Sequence, residues 1–185
     1  MTRLTLSETS IPDLSLLIRH PVGDDRGFME RLFCVDELSL VIGGGRISQI
    51  NRSMTANSGT LRGMHFQYPP YSEKKIVTCL KGEIFDVAID LRRGSPTFLS
   101  WHGEFLKASG HTSLVIPEGF AHGFQTMTDD CEVIYFCTNK YFPEAEGGID
   151  ALDPRVSIEW PLCISERSAR DKTHPWLTND FLGVE

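Results

Sequence analysis

The stretch Glu83-Ile-Phe-Asp-Val-Ala-Ile-Asp90 alternates between large apolar side chains and polar or small ones, with Phe85, Val87 and Ile89 at every second position. A period of two is typical of a β-strand with one buried face. Similar runs recur at residues 46–53, 61–67, 75–80, 97–106, 113–116 and 132–138, and turn-forming residues separate them. Short strands at a spacing of roughly 8–12 residues predict an all-β protein, an antiparallel sandwich or barrel of the jelly-roll kind.

The segments outside these strands predict little helix. A helix is expected to begin at Asp36, a favourable N-cap, and to end at the glycines of residues 43–45. The C-terminal segment, residues 150–185, is expected to pack as loops and short helices. Neither a repeat nor a linker interrupts the 185 residues, of which 41% are hydrophobic, so we expect a single domain over residues 1–185.

Charge and hydropathy argue against two classes of partner. The chain has 18 Lys and Arg against 25 Asp and Glu, a net charge of −7, and its basic residues form no cluster beyond pairs such as Lys74-Lys75. A surface for duplex nucleic acid needs a basic face, so nucleic acid is not expected as a partner. No apolar run approaches the roughly 18 residues that a membrane helix needs, and residues 1–19 do not resemble a signal peptide.

Cysteine usage indicates the compartment. The five cysteines are odd in number and contain no C-x-x-C pair. This pattern argues against a disulfide framework and against a cysteine-rich zinc site. We therefore expect a cytoplasmic protein without membrane association.

The stretch Leu61-Arg-Gly-Met-His-Phe-Gln67 places His65 on a predicted strand. Strict alternation puts Leu61, Gly63 and Gln67 on the same face as His65, and that face is less apolar than an ordinary core face. Arg62 should point the other way, unless Gly63 marks a bulge that redirects it. A core histidine, hydrogen-bonded to backbone, is the alternative interpretation of His65.

A second histidine, His122, lies in the predicted Pro/Gly bend Ile116-Pro-Glu-Gly-Phe-Ala-His-Gly-Phe124. Two histidines suggest a metal site, because histidine is the commonest metal ligand. Stable sites need three or four ligands at suitable spacing, however, and the i+2 neighbour of His65 is Gln67 rather than a second histidine. Metal is therefore the weaker interpretation. Taken alone, Tyr135 is expected to be a core aromatic and Lys75 a solvated strand end.

Further along the chain, the sequence contains an ordered series of motifs: Gly23-Asp-Asp-Arg-Gly-Phe28, Gln49-x-Asn51-x-Ser53, Leu61-Arg-Gly-Met-His-Phe-Gln67, Lys75-Ile-Val77, Gly82-Glu-Ile-Phe-Asp-Val-Ala-Ile-Asp-Leu-Arg92, Ser95-Pro-Thr-Phe98, residues 116–124, Asn139-Lys-Tyr141, Pro143-Glu144, Asp153-Pro154 and Ser168-Ala-Arg-Asp171. Taken together, these motifs resemble the dTDP-4-dehydrorhamnose 3,5-epimerase family of cupins over about residues 20–177. The ordered set is far more specific than any one motif.

The resemblance implies a jelly-roll cupin homodimer that epimerises a nucleotide-linked 4-keto-6-deoxyhexose in deoxysugar biosynthesis, without a cofactor or metal. It implies that His65 removes the proton from the carbon beside the 4-keto group, with Asp171 as its dyad partner. Tyr135 would be the acid on the opposite face, and Lys75 would face the developing enolate. Residues implied to bind substrate are Arg62, Arg26 of the neighbouring subunit, Glu30, Gln49, Asn51, His122 and Tyr141.

Several alternatives stay open in the sequence. Val22 stands where the family often has an aromatic residue near the nucleobase, so both thymidine- and cytidine-linked sugars are candidates. A rival register places Ser168 rather than Asp171 at the dyad position. Inversion of C3 alone or of both C3 and C5 fits equally well. A sugar-nucleotide ketoisomerase on the same fold, and a non-catalytic sugar-binding cupin, are the competing functions; an H-x-H at His65 would favour the ketoisomerase.

Overall fold

The predicted antiparallel sandwich is confirmed by a computed structural model, which describes residues 2–39, 41–43 and 46–185. Two antiparallel sheets of six and five strands make up the sandwich. The six-stranded sheet contains, from edge to edge, β1 (Leu4–Glu8), β2 (Ser15–Arg19), β10 (Thr112–Ile116), β7 (Lys75–Lys81), β12 (Cys131–Cys137) and β5 (Gln49–Thr55). The five-stranded sheet contains β13 (Glu146–Gly148), β6 (Leu61–Gln67), β11 (Phe120–Thr126), β8 (Glu83–Asp90) and β9 (Trp101–Lys107).

The strand β8 has the predicted bounds but is buried on both faces rather than on one. Phe85, Val87 and Ile89 pack on the outer face of the five-stranded sheet, whereas Ile84 packs between the sheets. Ala88, on the opposite face, packs between the two sheets. Asp86 and Asp90 are fully buried, so the polar positions that alternation assigned to solvent lie inside the protein.

Three apolar clusters hold the layers together. One lies between the sheets and joins residues such as Val77 and Val133 of one sheet to Ala88 and Phe124 of the other. The C-terminal segment covers the outer face of the five-stranded sheet, where Val156 packs among its apolar side chains. Apolar side chains before β5, such as Leu32, Phe33 and Leu38, cover the outer face of the six-stranded sheet in the same way. Burial of all these apolar faces away from water stabilises the sandwich.

Two local predictions are wrong. The segment after Asp36 forms turns over 35–39 and 41–43 in place of the predicted helix, and Leu40, Gly44 and Gly45 lie outside the described residues. The predicted bend around His122 is the central strand β11, which is buried along its whole length. The helices of the described part are two 3₁₀ turns, Pro143–Ala145 and Asp171–Thr173, and neither could cross a membrane.

A separate two-stranded hairpin projects from the sandwich. It contains β3 (Val22–Asp24) and β4 (Gly27–Met29), and each of these strand residues is exposed. We call residues 22–29 the arm. Its exposure contrasts with central strands of the two main sheets such as β8 and β11, which are buried along nearly their whole length.

Candidate active site

A cleft with a volume of about 390 Å³ opens between the two sheets. Strands β5, β7 and β12 form one wall, and β6, β11 and β13 form the other. The residues that line it are Gln49, Asn51, Ser53, Arg62, His65, Phe66, Gln67, Glu73, Lys75, His122, Gly123, Phe124, Tyr135, Cys137, Tyr141, Glu146, Ser168, Arg170 and Asp171. Nine of the predicted site residues therefore meet in one place.

A bulge in β6 turns Arg62 into the cleft. His65 lies opposite His122 of β11, but Arg62 lies opposite Phe124, so β6 contains one extra residue over this span. Gly63 occupies the bulge at φ +118°, and a Cβ there would come within 2.6 Å of the neighbouring strand's backbone. Only glycine fits such a position. The bulge places Arg62 and His65 together in the cleft and sends Leu61 to the outer core, which corrects the strict alternation.

His65 and Asp171 form a hydrogen-bonded pair, with Nε2 of His65 2.7 Å from Oδ1 of Asp171. The backbone N–H of Gly63 donates to the other carboxylate oxygen at 3.3 Å, and the N–H of Asp171 donates to the Ser168 hydroxyl at 3.0 Å. Burial tends to raise the pKa of Asp171, but the hydrogen bonds, that of His65 foremost, outweigh burial and lower it. The chain thus presents Asp171, not Ser168, to His65.

His174 stands beside this pair and was missed by sequence reasoning. Its ring meets that of His65 edge to face at 5.4 Å, and its Nε2 lies 3.8 Å from Oδ1 of Asp171. A Cβ at Gly148 would come within 2.2 Å of the His174 ring, so glycine is needed for the ring to lie against β13. Burial, and then the charge of His65, lowers the pKa of His174, which favours the neutral imidazole.

Among the residues that the structure describes, His65, Asp171 and His174 could hold a metal, since their ligand atoms lie within 4.8 Å of one another. Two histidines and one carboxylate suit several divalent transition metals. A metal at this point would take the place of the proton that joins His65 to Asp171. The donor set is therefore compatible with a metal, but its shortest distance, 2.7 Å, is that of a hydrogen bond.

Tyr135 enters the cleft from the opposite wall, on β12. Its hydroxyl lies 3.1 Å from the Ser53 hydroxyl on β5, and its ring meets the His122 ring edge to face at 6.0 Å. Burial raises the pKa of Tyr135 well above its ordinary value, so its hydroxyl holds its proton at neutral pH. Tyr135 packs on the core, as expected of a strand tyrosine, but its hydroxyl faces the cleft.

Lys75 is not a solvated strand end. Its ammonium lies 3.1 Å from the Glu73 carboxylate, and both side chains are largely buried in the cleft wall. Burial, and then the charge of Glu73, raises the pKa of the nearby Cys137 thiol to about 12, so Cys137 is a neutral group at this wall. Glu73 was also missed by sequence reasoning, although in an extended chain its position two residues before Lys75 places it on the same face.

The other predicted pocket residues are held by hydrogen bonds. His122 contacts the fully buried Asp86 at 2.8 Å, and Gln49 donates to Asn51 at 3.0 Å. The Tyr141 hydroxyl donates to Glu146 at 2.8 Å. Arg170 also donates to both oxygens of Glu146, and sequence reasoning identified neither residue of that pair.

Two residues that were predicted to bind substrate lie outside this cleft. Arg26 is at the tip of the arm, where its guanidinium pairs with Asp24 of the same hairpin. Glu30 follows the arm and pairs with Arg19 and His111. The structure thus gives the Glu30 carboxylate other contacts than the expected one with substrate.

The arrangement supports proton transfer on two sides of one bound molecule. The His65–Asp171 pair can accept a proton from one wall, and the Tyr135 hydroxyl can donate one from the other. Lys75 and Arg62, which also line the cleft, supply positive charge that would stabilise an oxyanion or a phosphate.

The amino-acid sequence of the chain is similar to that of known proteins. Residues 8–179 match the family model described as dTDP-4-dehydrorhamnose 3,5-epimerase. The chain is 39% identical over 176 residues to the dTDP-4-dehydrorhamnose 3,5-epimerase of Salmonella typhimurium, which covers 95% of this chain and 96% of that protein.

Solved structures agree with that comparison. A dTDP-6-deoxy-D-glucose-3,5-epimerase of Legionella pneumophila, in complex with dTDP-4-keto-L-rhamnose, has a TM-score of 0.90 at 35% identity and 98% coverage of both chains. A 3′-monoepimerase of Streptomyces bikiniensis, in complex with dTDP-quinovose, has a TM-score of 0.82 at 31% identity, covering 91% of this chain and 85% of its own.

Proposed function

Since the chain belongs to the dTDP-4-dehydrorhamnose 3,5-epimerase family, and is therefore an isomerase, we propose that its cleft epimerises a nucleotide-linked 4-keto-6-deoxyhexose. The observation that carries the proposal is the position of His65 and Tyr135 on opposite walls of one cleft, with Lys75 also in its lining. Inversion of a carbon needs a base on one face and an acid on the other. The whole chain acts as one unit, because residues from Gln49 to Asp171 line that cleft.

His65 is the base in this proposal. Its Nε2–H is donated to Asp171, so the lone pair that accepts the proton is on Nδ1. The base removes a proton from the carbon beside the 4-keto group, and the electron pair of the broken C–H bond forms the enolate. Asp171 fixes the tautomer and stabilises the imidazolium that results.

Lys75 stabilises the enolate. A 4-keto group makes the neighbouring C–H bond acidic, because the negative charge of the enolate moves onto the keto oxygen. The bond becomes acidic enough only when the site stabilises that charge. The Lys75 ammonium is already held in the wall by Glu73, so little reorganisation is needed when charge develops. Arg62, whose Nε donates to Thr55 at 2.9 Å, is placed for the diphosphate.

Tyr135 completes the inversion by giving its hydroxyl proton to the opposite face of the same carbon. The raised pKa keeps the hydroxyl protonated until the enolate forms. The same burial makes the tyrosinate unfavourable, so it regains a proton before the next cycle, while His65 releases the proton that it took. Atoms and charge therefore balance over one turnover, without a cofactor.

The ketoisomerase alternative is less well supported. It would favour a second histidine at position 67, where this chain has Gln67. The Gln67 amide donates to the carbonyls of Tyr71 and Lys140 and accepts from the N–H of Phe142. It serves to hold the loops at the mouth of the cleft. A non-catalytic sugar-binding role leaves the buried base, acid and ammonium without a purpose.

We also propose a homodimer in which each arm reaches the partner's cleft. The arm exposes Val22, Phe28 and Met29 to 50%, 63% and 64%. Apolar side chains concentrated on a projecting hairpin are typical of an interface. The Arg26 guanidinium at the tip could then join Arg62 around a diphosphate. An active monomer in sedimentation experiments would contradict this assignment.

A cytoplasmic location is the final part of the proposal. All five cysteines are free, and Cys79, Cys131 and Cys137 are buried. Free buried thiols are typical of a reducing compartment. Thiol titration of the unfolded protein, taken directly from cells, should find five free thiols; oxidised pairs would contradict a cytoplasmic location.

The experiment that tests the enzymatic proposal is proton NMR of the product in D2O, with thymidine- and cytidine-linked 4-keto-6-deoxyglucose compared. Deuterium should enter at each inverted carbon, which also tells inversion of C3 alone from inversion of C3 and C5. Lack of exchange with both substrates would contradict the epimerase proposal. Migration of the carbonyl without inversion would indicate the ketoisomerase.

A further inference from the structure

The base of the arm contains a partly buried cluster of one acidic and two basic side chains. Glu30 directly follows β4, and its side chain is only 12% exposed, although every strand residue of the arm is exposed. One carboxylate oxygen lies 2.9 Å from Nε of Arg19 and 2.6 Å from Nδ1 of His111. A single acidic group is therefore held between two basic ones.

Both basic partners are fixed to the six-stranded sheet. Arg19 ends β2, its side chain is 1% exposed, and its guanidinium donates to the Ser113 hydroxyl of β10. Ser113 in turn lies 2.5 Å from the Thr78 hydroxyl of β7. His111 directly precedes β10, so the cluster ties the arm to three neighbouring strands.

His111 also touches the arm itself. The Phe28 ring packs edge to face on the His111 ring, with centroids 5.3 Å apart. The tip of the arm differs from its base. The Arg26 side chain there is 89% exposed and forms an ion pair with Asp24 of the same hairpin. The arm is thus held firmly at its base and carries its cation at a free end.

We propose that Glu30, between Arg19 and His111, is a positioning residue that holds the arm, and with it Arg26, in one place. The consequence for substrate binding rests on the proposed role of Arg26 at the partner's cleft. A cation that is already in position loses less freedom when it binds a diphosphate, so the anchor improves affinity. Its carboxylate does this work through contacts inside its own chain rather than by touching substrate.

The chemistry of the cluster supports an anchor. Removing the negative charge leaves the buried Arg19 without compensation, which is costly in a low-dielectric site. His111 has φ +54°, a conformation that asparagine accepts well, so His111→Asn removes the imidazole without adding backbone strain.

The first test is trypsin cleavage after Arg26 in the full-length protein without substrate, with fragments identified by mass spectrometry. Glu30→Gln should speed this cleavage about tenfold, because a loosened arm opens more often. His111→Asn leaves the Glu30–Arg19 pair intact, so it still tests the anchor if Glu30→Gln fails to fold. This variant should speed the cleavage about threefold. The matched control is Glu37→Gln: Glu37 is 16% exposed and pairs with Arg31 outside the arm, and its loss should leave the rate unchanged.

The second test is a double-mutant cycle on KM. Glu30→Gln should raise KM about fivefold with kcat within about twofold, and Arg26→Ala should remove that effect. An equal rise of KM in both backgrounds would overturn the claim that Glu30 acts through Arg26. Unchanged cleavage in both variants would overturn the anchor itself. If Arg26→Ala alone leaves KM unchanged, the proposed role of Arg26 fails, and the cleavage assay still judges the anchor.

Discussion

The cleft and the arm differ in what holds their functional side chains. In the cleft, each functional side chain is held by a second side chain of the same chain at about hydrogen-bond distance. The pairs are His65 with Asp171, Lys75 with Glu73, and Tyr135 with Ser53. The arm presents its cation at an exposed tip and is fixed only at its base.

This difference separates chemistry from binding. Groups that move protons must be placed within a fraction of an ångström, so one rigid sandwich supplies them. A group that neutralises a phosphate can come from a projecting hairpin of a second copy. Changes to the proton-transfer groups of the cleft should therefore lower kcat, and changes in the arm should raise KM.

The largest effect is expected for His65→Asn in the cleft. The amide cannot accept a proton at neutral pH, so exchange at the substrate carbon should fall by about 10³-fold or more. Purified variant, wild type and Glu37→Gln are compared in D2O by NMR, with circular dichroism to confirm folding. Exchange within tenfold of wild type would mean that the base lies elsewhere.

A smaller loss is expected for Asp171→Asn. The Asn amide donates toward Nε2 of His65, which forces the proton onto Nδ1 and removes the lone pair that acts as the base. We expect kcat to fall about 10²-fold with KM little changed. Ser168→Ala is the matched variant and should stay within about threefold of wild type. The reverse order of the two would restore the rival register, with Ser168 at the dyad.

The arm should show the opposite kinetic signature. Arg26→Ala should raise KM about tenfold and leave kcat within about twofold, because a charge-assisted contact to the diphosphate is lost in the ground state and transition state alike. Initial rates over a wide range of substrate concentration measure both constants. A fall in kcat at unchanged KM would break the division between cleft and arm.

No change is expected when metal is removed. The positive charge of the cleft comes from Lys75 and Arg62, so exhaustive chelation should leave kcat within about twofold. Turnover lost on chelation and restored by a divalent ion would assign His65, Asp171 and His174 to a metal centre. It would reject the mechanism proposed above.

The fold was predictable where side chains alternate cleanly. Strands β6 and β8 begin and end where the sequence predicts. Strand β11 was missed because it is buried on both faces, and a doubly buried strand that contains glycine shows no alternation. The helix after Asp36 was predicted from its cap and stop signals, but packing against the outer face of the six-stranded sheet shaped that segment into turns.

The site was predictable only in part. The motifs predicted His65, Lys75 and Tyr135 as site residues. They do not predict which second side chain holds each of them in position. Asp86 gave no local signal, because its partner His122 is distant in the chain. His174 follows Asp171 by three residues, but its ring contact with the distant His65 gave no local signal either. The motifs favoured Asp171 as the partner of His65 but allowed Ser168 in a rival register, and a contact across more than 100 residues distinguishes them. The contacts of Glu30 depend on how the arm lies against the six-stranded sheet. The spacing of residues along the chain does not predict that arrangement.

The division of work between the two walls of the cleft is tested most directly by Tyr135→Phe in D2O. Phenylalanine keeps the ring and its packing and removes only the hydroxyl, so the fold should survive. His65 should still take the substrate proton and return a deuteron to the same face. We therefore predict deuterium at C3 with little inversion there. Inversion at the wild-type rate, or no exchange at all, would contradict the account.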